Sequence, residues 1–228
     1  MLDSCCALGA GNKIRNIFLD FRPPFGTMQL PGSALGGATM MNGERPVGEV
    51  MGFIDFLLHD FDTICRQAHE TYRGYAPDVL VQHDSRTAAN CIYSHMASEA
   101  ESRFAAHYPK VQLLDPRPLG GLKVWRVGDI GADALIRFKK HDQDGFARNY
   151  QTKQARQYDR GDVLPGLPQE ATRLSVGYYL DPTGTEFIRT QVARPRGKRI
   201  DWCVAIVPQA ERQAGEKLWF EITRQRNF

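Results

Sequence analysis

Apolar residues in the first patterned part of the chain recur at every third or fourth position, which is the period of an amphipathic helix. This spacing runs from Phe53 to Tyr72 and predicts a helix that ends before Gly74. A second helix is predicted to about His107, with Asp84 at the position where an N-cap residue belongs and with Tyr93 in its apolar stripe. The sequence therefore places two helices ahead of the main strand pattern.

Beyond this helical part the period changes to alternation, which is typical of β-strands. The run Asp181-Pro-Thr-Gly184 supplies turn-forming residues between two alternating stretches and predicts a hairpin over 172–193. Helices followed by strands, without regular βαβ alternation, predict an α+β fold with two N-terminal helices packed on a mostly antiparallel sheet of about five strands. The predicted strands are 122–127, 133–140, 172–180, 185–193 and 200–207.

The first fifty residues lack sustained periodicity and contain clusters of turn formers, such as Arg22-Pro-Pro-Phe-Gly26. A segment of this kind buries little apolar surface. We therefore predict that residues 1–50 are a flexible extension and that residues 51–228 form a single α+β domain.

Composition narrows the class of protein. The chain has no run of about 18 apolar residues, so a membrane-spanning helix is not expected, and its N-terminus lacks the basic flank of a signal peptide. The five cysteines do not have the spacing of a disulfide framework. These features predict a cytoplasmic protein with reduced thiols and no membrane partner.

Charge is distributed unevenly along the chain, although the net charge is only +3. Residues 51–136 contain eight basic and eleven acidic residues, whereas residues 137–228 contain seventeen basic and eleven acidic residues. Positive charge concentrated in one half favours anionic partners, which include RNA, DNA and acidic proteins.

The most basic segment extends from Arg137 to Arg160 and contains seven Lys or Arg residues against three Asp residues. Cations neutralise phosphates, and exposed rings stack on unpaired bases, so cations interleaved with rings favour single-stranded nucleic acid as a ligand. The alternative is a solvated face with the rings in the core. The interleaved rings are Phe138, Phe146, Tyr150 and Tyr158.

A short helix capped by Thr152 and ending at Gly161 would place three cations of this segment on one face. The predicted nucleic-acid-binding residues are Lys139, Lys140, Arg148, Tyr150, Lys153, Arg156 and Arg160.

His141 is the one catalytic candidate that the basic segment suggests. It follows Lys139 and Lys140, and a neutral imidazole beside two cations is suited to act as a general base toward a ribose 2′-hydroxyl. The alternative is a lone exposed histidine without a catalytic role.

Three residues along one side of the second predicted helix are candidate metal ligands: Cys91, His95 and Glu99. A closed zinc site needs four ligands, and no CxxC, HxxxH or HExxH pattern supplies the others. The alternative is a structural role in which Asp84 caps the helix and Cys91 packs in the core.

Several motifs of nucleotide-binding and hydrolytic enzymes are absent from the sequence. There is no GxxxxGK[ST] motif, no GxGxxG after a strand and no GxSxG motif. The PD-(D/E)xK nuclease pattern also fails, because Phe138 stands two positions before Lys140 and Arg137 two positions before Lys139. No cofactor is therefore predicted.

Residues 134–208 contain a set of short motifs that resembles an uncharacterised bacterial family of toxin-like partners of helix-turn-helix and zinc-peptidase-like regulators. The resemblance implies a toxin-antitoxin or phage-defence module and identifies no catalytic residues. The motifs are Arg137-Phe-Lys-Lys, Arg148-Asn-Tyr, Thr152-Lys-Gln-Ala, Leu164-Pro-Gly-Leu-Pro168, Arg173-Leu-Ser-Val-Gly-Tyr and Asp181-Pro-Thr-Gly-Thr-Glu186.

Three hypotheses about function follow. The first is a toxin-like or defence-associated cytoplasmic protein that binds or acts on RNA or DNA through its basic, aromatic-bearing face. The second is a non-enzymatic protein whose basic face binds an acidic regulator or antitoxin. The third is a metal-dependent hydrolase built on Cys91, His95 and Glu99.

Overall fold

The computed structural model describes residues 45–129, 132–148, 152–212 and 215–222. Residues 1–44, which are most of the predicted flexible extension, lie outside the described residues. The first helix begins at Val47, and Val50 and Met51 are buried. Within the described ranges no helix is both long and apolar enough to cross a membrane.

The helices form where apolar residues repeat with helical spacing and where cap residues are available. Asp84 Oδ1 accepts a hydrogen bond of 2.7 Å from the backbone N–H of Thr87, which confirms the predicted N-cap. Thr152 accepts a hydrogen bond from the N–H of Ala155, and Gly161 ends that helix in the left-handed conformation, as predicted. The helices are α1 Val47–Phe53, α2 Leu58–Arg73, α3 Pro77–Gln82, α4 Ser85–His107 and α5 Lys153–Arg160.

Seven strands of the described residues form one sheet in which the strands lie side by side in chain order. All neighbouring pairs in this sheet are antiparallel except β3 and β4, which run parallel with α5 between them along the chain. The strands are β1 Val111–Leu113, β2 Trp125–Asp129, β3 Ala132–Lys140, β4 Thr172–Leu180, β5 Phe187–Arg196, β6 Arg199–Ile206 and β7 Trp219–Glu221.

Both faces of the sheet are covered, and β3 shows how. Ile136 and Phe138 belong to the main core, which the sheet shares with α2 and α4. Leu135 lies next to Ile136 in sequence and belongs to a second core with Tyr158 of α5. Because successive side chains of a strand point to opposite faces, α5 packs against the face opposite to α2 and α4.

The α+β class is confirmed, but the count of two helices on about five strands is wrong. The sheet of the described residues has seven strands, and helices occupy much of 47–107 rather than two segments. The two strands that the alternation pattern misses, β1 and β7, have three residues each, which is too short to show alternation. The helix α3 buries no residue and so carries no amphipathic pattern.

Candidate functional site

The parallel pairing of β3 and β4 brings the carboxyl ends of two strands to the same edge of the sheet. Lys139 pairs with Gly177 and Lys140 pairs with Tyr178 in the last part of this ladder. The chain leaves the sheet at this edge in two loops, one after Lys140 and one after Leu180. In parallel sheets the side chains at such an edge face an open crevice, which is a common place for a ligand.

A cleft of about 860 Å³ lies at this edge. Its walls come from the beginning of α4, the end of β3 with the following loop, the cap of α5, and the turn after β4. Its lining combines four cations, three carboxylates and two tyrosines among the described residues. The polar and aromatic lining includes Ser85, Arg86, Tyr93, Lys139, Lys140, His141, Asp142, Asp144, Arg148, Thr152, Tyr179 and Asp181.

Two helices begin at the cleft. Ser85 and Arg86, in the first turn of α4, line it, and so does Thr152, the N-cap of α5. The N-terminus of a helix carries a partial positive charge and N–H groups that the helix does not use itself. The start of α5, which the neutral Thr152 caps, therefore adds to the positive potential of the cationic side chains. At the start of α4 the carboxylate of the cap residue Asp84 offsets the effect.

Lys139 is the cation held most deeply in the cleft. Its Nζ lies 5.1 Å from the centre of the Tyr93 ring. The pKa of Lys139 falls from 10.5 to about 8, chiefly because of burial and secondly because of the nearby Arg137, while Asp159 opposes both effects. The ammonium ion is thus present at neutral pH in surroundings that disfavour a positive charge.

Lys140 is half-buried next to it. Burial lowers the pKa of Lys140, Arg148 lowers it as well, and Asp181 acts in the opposite direction. Arg148 is more exposed, with 68% of its side chain accessible, and its Nε lies 3.2 Å from Asp142 Oδ2. The cations of the cleft therefore range from partly desolvated to solvent-facing.

A buried ion pair lies beneath the cleft and connects β3 to α5. Arg137 Nη2 is 2.6 Å from Asp159 Oδ1, and the two side chains are 2% and 5% exposed. The Arg137 guanidinium also lies 5.0 Å from the centre of the Tyr158 ring. Arg137 Nε and Nη1 make no hydrogen bond within the described part of the chain. Asp159 thus balances the Arg137 charge, and the pair ties the floor of the cleft to α5.

His141 forms part of the wall of the cleft and is only 1% exposed, so it is not an exposed histidine. Its Nε2 lies 2.8 Å from Ser175 Oγ. Burial, with a smaller effect of Arg137, lowers the pKa of His141 to about 3, so the imidazole is neutral at physiological pH. The predicted general-base role stays a prediction, but burial and a pKa of about 3 make the ring a weak base, and Ser175 already contacts one nitrogen.

Gly177 permits the close approach of β4 to His141. A Cβ atom at this position would overlap the backbone carbonyl oxygen of Lys139 and would lie 2.9 Å from Cδ2 and Nε2 of His141. Contacts below about 3 Å force neighbouring atoms to move, and here one neighbour is backbone. This wall of the cleft can therefore form only because residue 177 has no side chain.

The loop after β3 is held in place by its own hydrogen bonds. Asp142 Oδ1 accepts hydrogen bonds from the N–H groups of Asp144 and Phe146 at 3.0 and 2.9 Å. The carbonyl of Gln143 accepts hydrogen bonds from Arg189 and Gln191 of β5. These bonds fix the loop that presents Arg148 to the cleft.

The structure brings three of the predicted nucleic-acid-binding residues into one cleft: Lys139, Lys140 and Arg148. Three others, Lys153, Arg156 and Arg160, are exposed on α5, which begins at the cleft. Their spacing of three and four residues places them in one stripe along the helix. Tyr150 lies outside the described residues.

The prediction that the rings of the basic segment stack on bases is wrong for two of them. Phe138 and Tyr158 are fully buried. The Tyr158 hydroxyl lies 2.7 Å from the carbonyl oxygen of Leu135, so the ring belongs to the packing between α5 and the sheet. Phe146 packs against a small apolar cluster beside β5 and β6.

The tyrosines that line the cleft are not among the predicted site residues. Tyr93 comes from α4, where the sequence assigns it to the apolar stripe, and Tyr179 lies near the end of β4. Lys139 covers one face of the Tyr93 ring, and Arg189 covers one face of the Tyr179 ring at 5.1 Å. The position of Tyr179 beside the Asp181 turn is the signal that the sequence offers, because residues at strand ends face the crevice.

The three metal-ligand candidates have other partners. His95 Nε2 lies 2.7 Å from the Tyr75 hydroxyl, and Glu99 accepts a hydrogen bond of 2.6 Å from Arg103 Nε. Cys91 is half-buried and packs against the main core, as the structural alternative predicts. Across the described ranges no group of three or more His, Cys, Asp or Glu residues is arranged to hold a metal ion.

Comparisons of the chain with protein-family models, with curated proteins and with solved structures found no match. The chemistry of the cleft is therefore the basis for assigning a function.

Proposed function

We propose that the protein binds single-stranded nucleic acid, RNA or DNA, in the cleft at the carboxyl ends of β3 and β4. The observation that carries the proposal is the convergence of four cations on one cleft from separate parts of the chain. Arg86 comes from α4, Lys139 and Lys140 from β3, and Arg148 from the loop that follows. Cations clustered in a concave site, rather than spread over a surface, favour binding of phosphate groups.

Two tyrosines support nucleic acid over a simple inorganic anion. Tyr93 and Tyr179 line the same cleft as the cations. Lys139 lies over one face of Tyr93, which also packs against the main core, and Arg189 lies over one face of Tyr179. A base would contact the parts of these two rings that line the cleft. Stacking on aromatic rings accepts any base and is the usual complement to phosphate contacts in proteins that bind single strands.

The three carboxylates of the cleft oppose an anionic ligand, but two of them are engaged in local structure. Asp142 accepts hydrogen bonds from N–H groups of its own loop. Asp181 accepts hydrogen bonds from the hydroxyl and N–H of Thr183 and from the N–H of Thr185, and the Thr183 hydroxyl is the largest cause of its lowered pKa. Their negative charge is partly offset by these donors, whereas the lysines extend into the cleft.

The stripe of Lys153, Arg156 and Arg160 extends the basic surface beyond the cleft. Thr152 lines the cleft and Lys153 follows it directly, so the stripe starts where the cleft ends. All three side chains belong to exposed residues. We propose that a strand held in the cleft continues along α5, with one phosphate near each cation.

The test is fluorescence anisotropy with single-stranded RNA and DNA oligonucleotides at several salt concentrations. Lys140→Glu and the double variant Lys153→Glu/Arg156→Glu are expected to weaken binding. The slope of log affinity against log salt is expected to become shallower by about 0.7 for each phosphate that the variant no longer neutralises. Lys110→Glu is the matched control, because Lys110 is exposed beyond the far end of α4. The helix rise places the end of α4, at His107, about 32 Å from Arg86.

Equal weakening by Lys110→Glu would show that only net charge matters and would reject the cleft as the site. Binding that does not change with salt would reject phosphate recognition altogether. Thermal unfolding of each variant separates loss of binding from loss of folding.

We further propose, on the basis of the family resemblance, that binding serves a toxin-like or defence role in the cytoplasm, with a regulator or antitoxin as partner. Expression with and without the neighbouring gene, measured by growth and by the integrity of cellular RNA and DNA, tests this role. If the basic face instead binds an acidic regulator, the complex should persist in nuclease-treated lysate. In that case the oligonucleotides should bind weakly and without preference for the cleft.

A further inference from the structure

The cleft concentrates its positive charge at one inner point. Lys139 is partly buried, lies over the Tyr93 ring, and has the buried Arg137 behind it. Asp159 is already paired with Arg137 at 2.6 Å. An anion that reaches Lys139 therefore meets a partly desolvated ammonium, where charge-assisted hydrogen bonds are strong.

The charge nearer the entrance is mixed. Arg86 is exposed and Arg148 is 68% exposed, while Asp142, Asp144 and Asp181 line the same cleft. A strand that passes through the cleft would bring internal phosphates close to these three carboxylates. A strand that ends in the cleft places a single phosphate at the lysines and leaves in one direction only.

The volume of the cleft also favours a strand that ends there over a strand that passes through. A volume of about 860 Å³ is within the range of sites that enclose one small molecule, and is small for an extended strand. The contact groups also suit a compact anion. Ser85 and Thr152, which both carry a hydroxyl, line the same space as the lysines.

We infer that the cleft binds the phosphorylated end of a strand, a phosphomonoester on a terminal nucleotide, in preference to the internal phosphodiesters of a strand. This inference rests on the proposed nucleic-acid function. A phosphomonoester carries close to two negative charges at neutral pH and three terminal oxygens, whereas a phosphodiester carries one charge. Lys139 and Lys140 gain more from the doubly charged group, and Ser85 and Thr152, which line the same cleft, carry hydroxyls that can donate to its extra oxygens.

The experiment uses one oligonucleotide sequence in four forms: with a 5′-phosphate, with a 3′-phosphate, with hydroxyls at both ends, and circularised. We expect one phosphorylated form to bind on the order of tenfold more tightly than the hydroxyl and circular forms, the effect of one added charge-assisted contact. The better form identifies which end the cleft accepts. A nucleoside monophosphate with the phosphate at that end should displace it, and the unphosphorylated nucleoside should not.

The preference should disappear in Lys139→Met and shrink in Lys140→Gln, while Lys110→Met should retain it. Two lysine variants are used so that misfolding of one does not leave the inference untested. Equal affinity for the phosphorylated and circular forms would overturn the inference and leave the proposed function standing. Failure of all four forms to bind would overturn both.

Discussion

Replacement of Lys139 by methionine should make the protein more stable and, at the same time, weaken its binding of nucleic acid. Methionine has a similar length and flexibility, fills the same space and carries no charge. Lys139 is held where burial and Arg137 disfavour its ammonium ion. A residue that reduces stability in this way is a sign of a functional requirement, because a stable fold alone would favour an apolar side chain there.

The magnitude follows from the pKa of Lys139, which falls from 10.5 to about 8 in the folded protein. A difference of one pKa unit corresponds to about 1.4 kcal/mol, so at pH 7 the charged lysine lowers the free energy of unfolding by about 3 kcal/mol. The contact with Tyr93 offsets about 1 kcal/mol of this. The methionine variant should therefore be more stable than the wild type by about 2 kcal/mol at pH 7.

The direction of the pH dependence provides the decisive check. Between pH 8 and 10.5 the unfolded chain retains the proton of Lys139 and the folded protein releases it. The destabilising effect of Lys139 therefore decreases, and the free energy of unfolding increases, as the pH rises through this range. At pH 10 the penalty should have fallen to about 1 kcal/mol. The advantage of the methionine variant should thus fall from about 2 kcal/mol at pH 7 to about 1 kcal/mol at pH 10, where the neutral lysine no longer gains from the Tyr93 ring.

Urea denaturation of both proteins at pH 7 and pH 10 measures this difference, and groups that titrate in both proteins cancel in the comparison. Lys110→Met serves as the control and should show no pH-dependent gain, because Lys110 is exposed. The reasoning is refuted if Lys139→Met is less stable than the wild type at pH 7, or if its advantage is the same at both pH values.

Three further substitutions test the parts that support the cleft. Gly177→Ala should lower the free energy of unfolding by about 2–3 kcal/mol in urea melts, because the new Cβ overlaps the Lys139 carbonyl oxygen. Gly52 has open space around it, so the control Gly52→Ala should change the free energy of unfolding by less than about 1 kcal/mol. Arg137→Met should lower the free energy of unfolding by about 3–5 kcal/mol, because it leaves Asp159 buried without its partner. The double variant Arg137→Met/Asp159→Leu should recover most of that stability, which thermal melts of both variants measure. Thr152→Ala removes the cap of α5 and should lower stability by about 1 kcal/mol by urea denaturation.

Local patterns are sufficient to predict most of the elements. The helical period of α2, the cap residues Asp84 and Thr152, and the hairpin between β4 and β5 each depend on residues close in sequence. The caps and the hairpin are confirmed, and the predicted first helix is confirmed from Leu58 onward rather than from Phe53. The three-residue strands at the two edges of the sheet depend instead on pairing with distant neighbours. Nothing within three residues distinguishes such a strand from a loop.

The site is predictable in part for the same reason. Lys139, Lys140 and Arg148 are close in sequence, so a local charge pattern finds them. Tyr93 reaches the cleft from a helix more than forty positions away, and its place in the apolar stripe of α4 conceals it. The burial of Arg137 depends on Asp159, a partner on a different element, which no local pattern reveals.

The parallel pairing of β3 and β4 accounts for both the site and the error in predicting its rings. The sequence predicts the helix α5 between two strands, but it does not predict that these strands are parallel neighbours that α5 connects. A connection of this kind has to cross one face of the sheet, so α5 covers Leu135 and its own Tyr158 is buried in the second core. Phe138 is buried on the other face, in the core that the sheet shares with α2 and α4. The same crossing returns the chain in the direction of β3, so that both strands end at one edge and α5 begins there. Apart from the buried Arg137, the described cations that alternate with those rings lie at this edge and on the outer side of α5. The rings that line the cleft beside them are Tyr93 and Tyr179, which come from other elements, so the proposed face combines a charged part that the sequence predicts with an aromatic part that it does not.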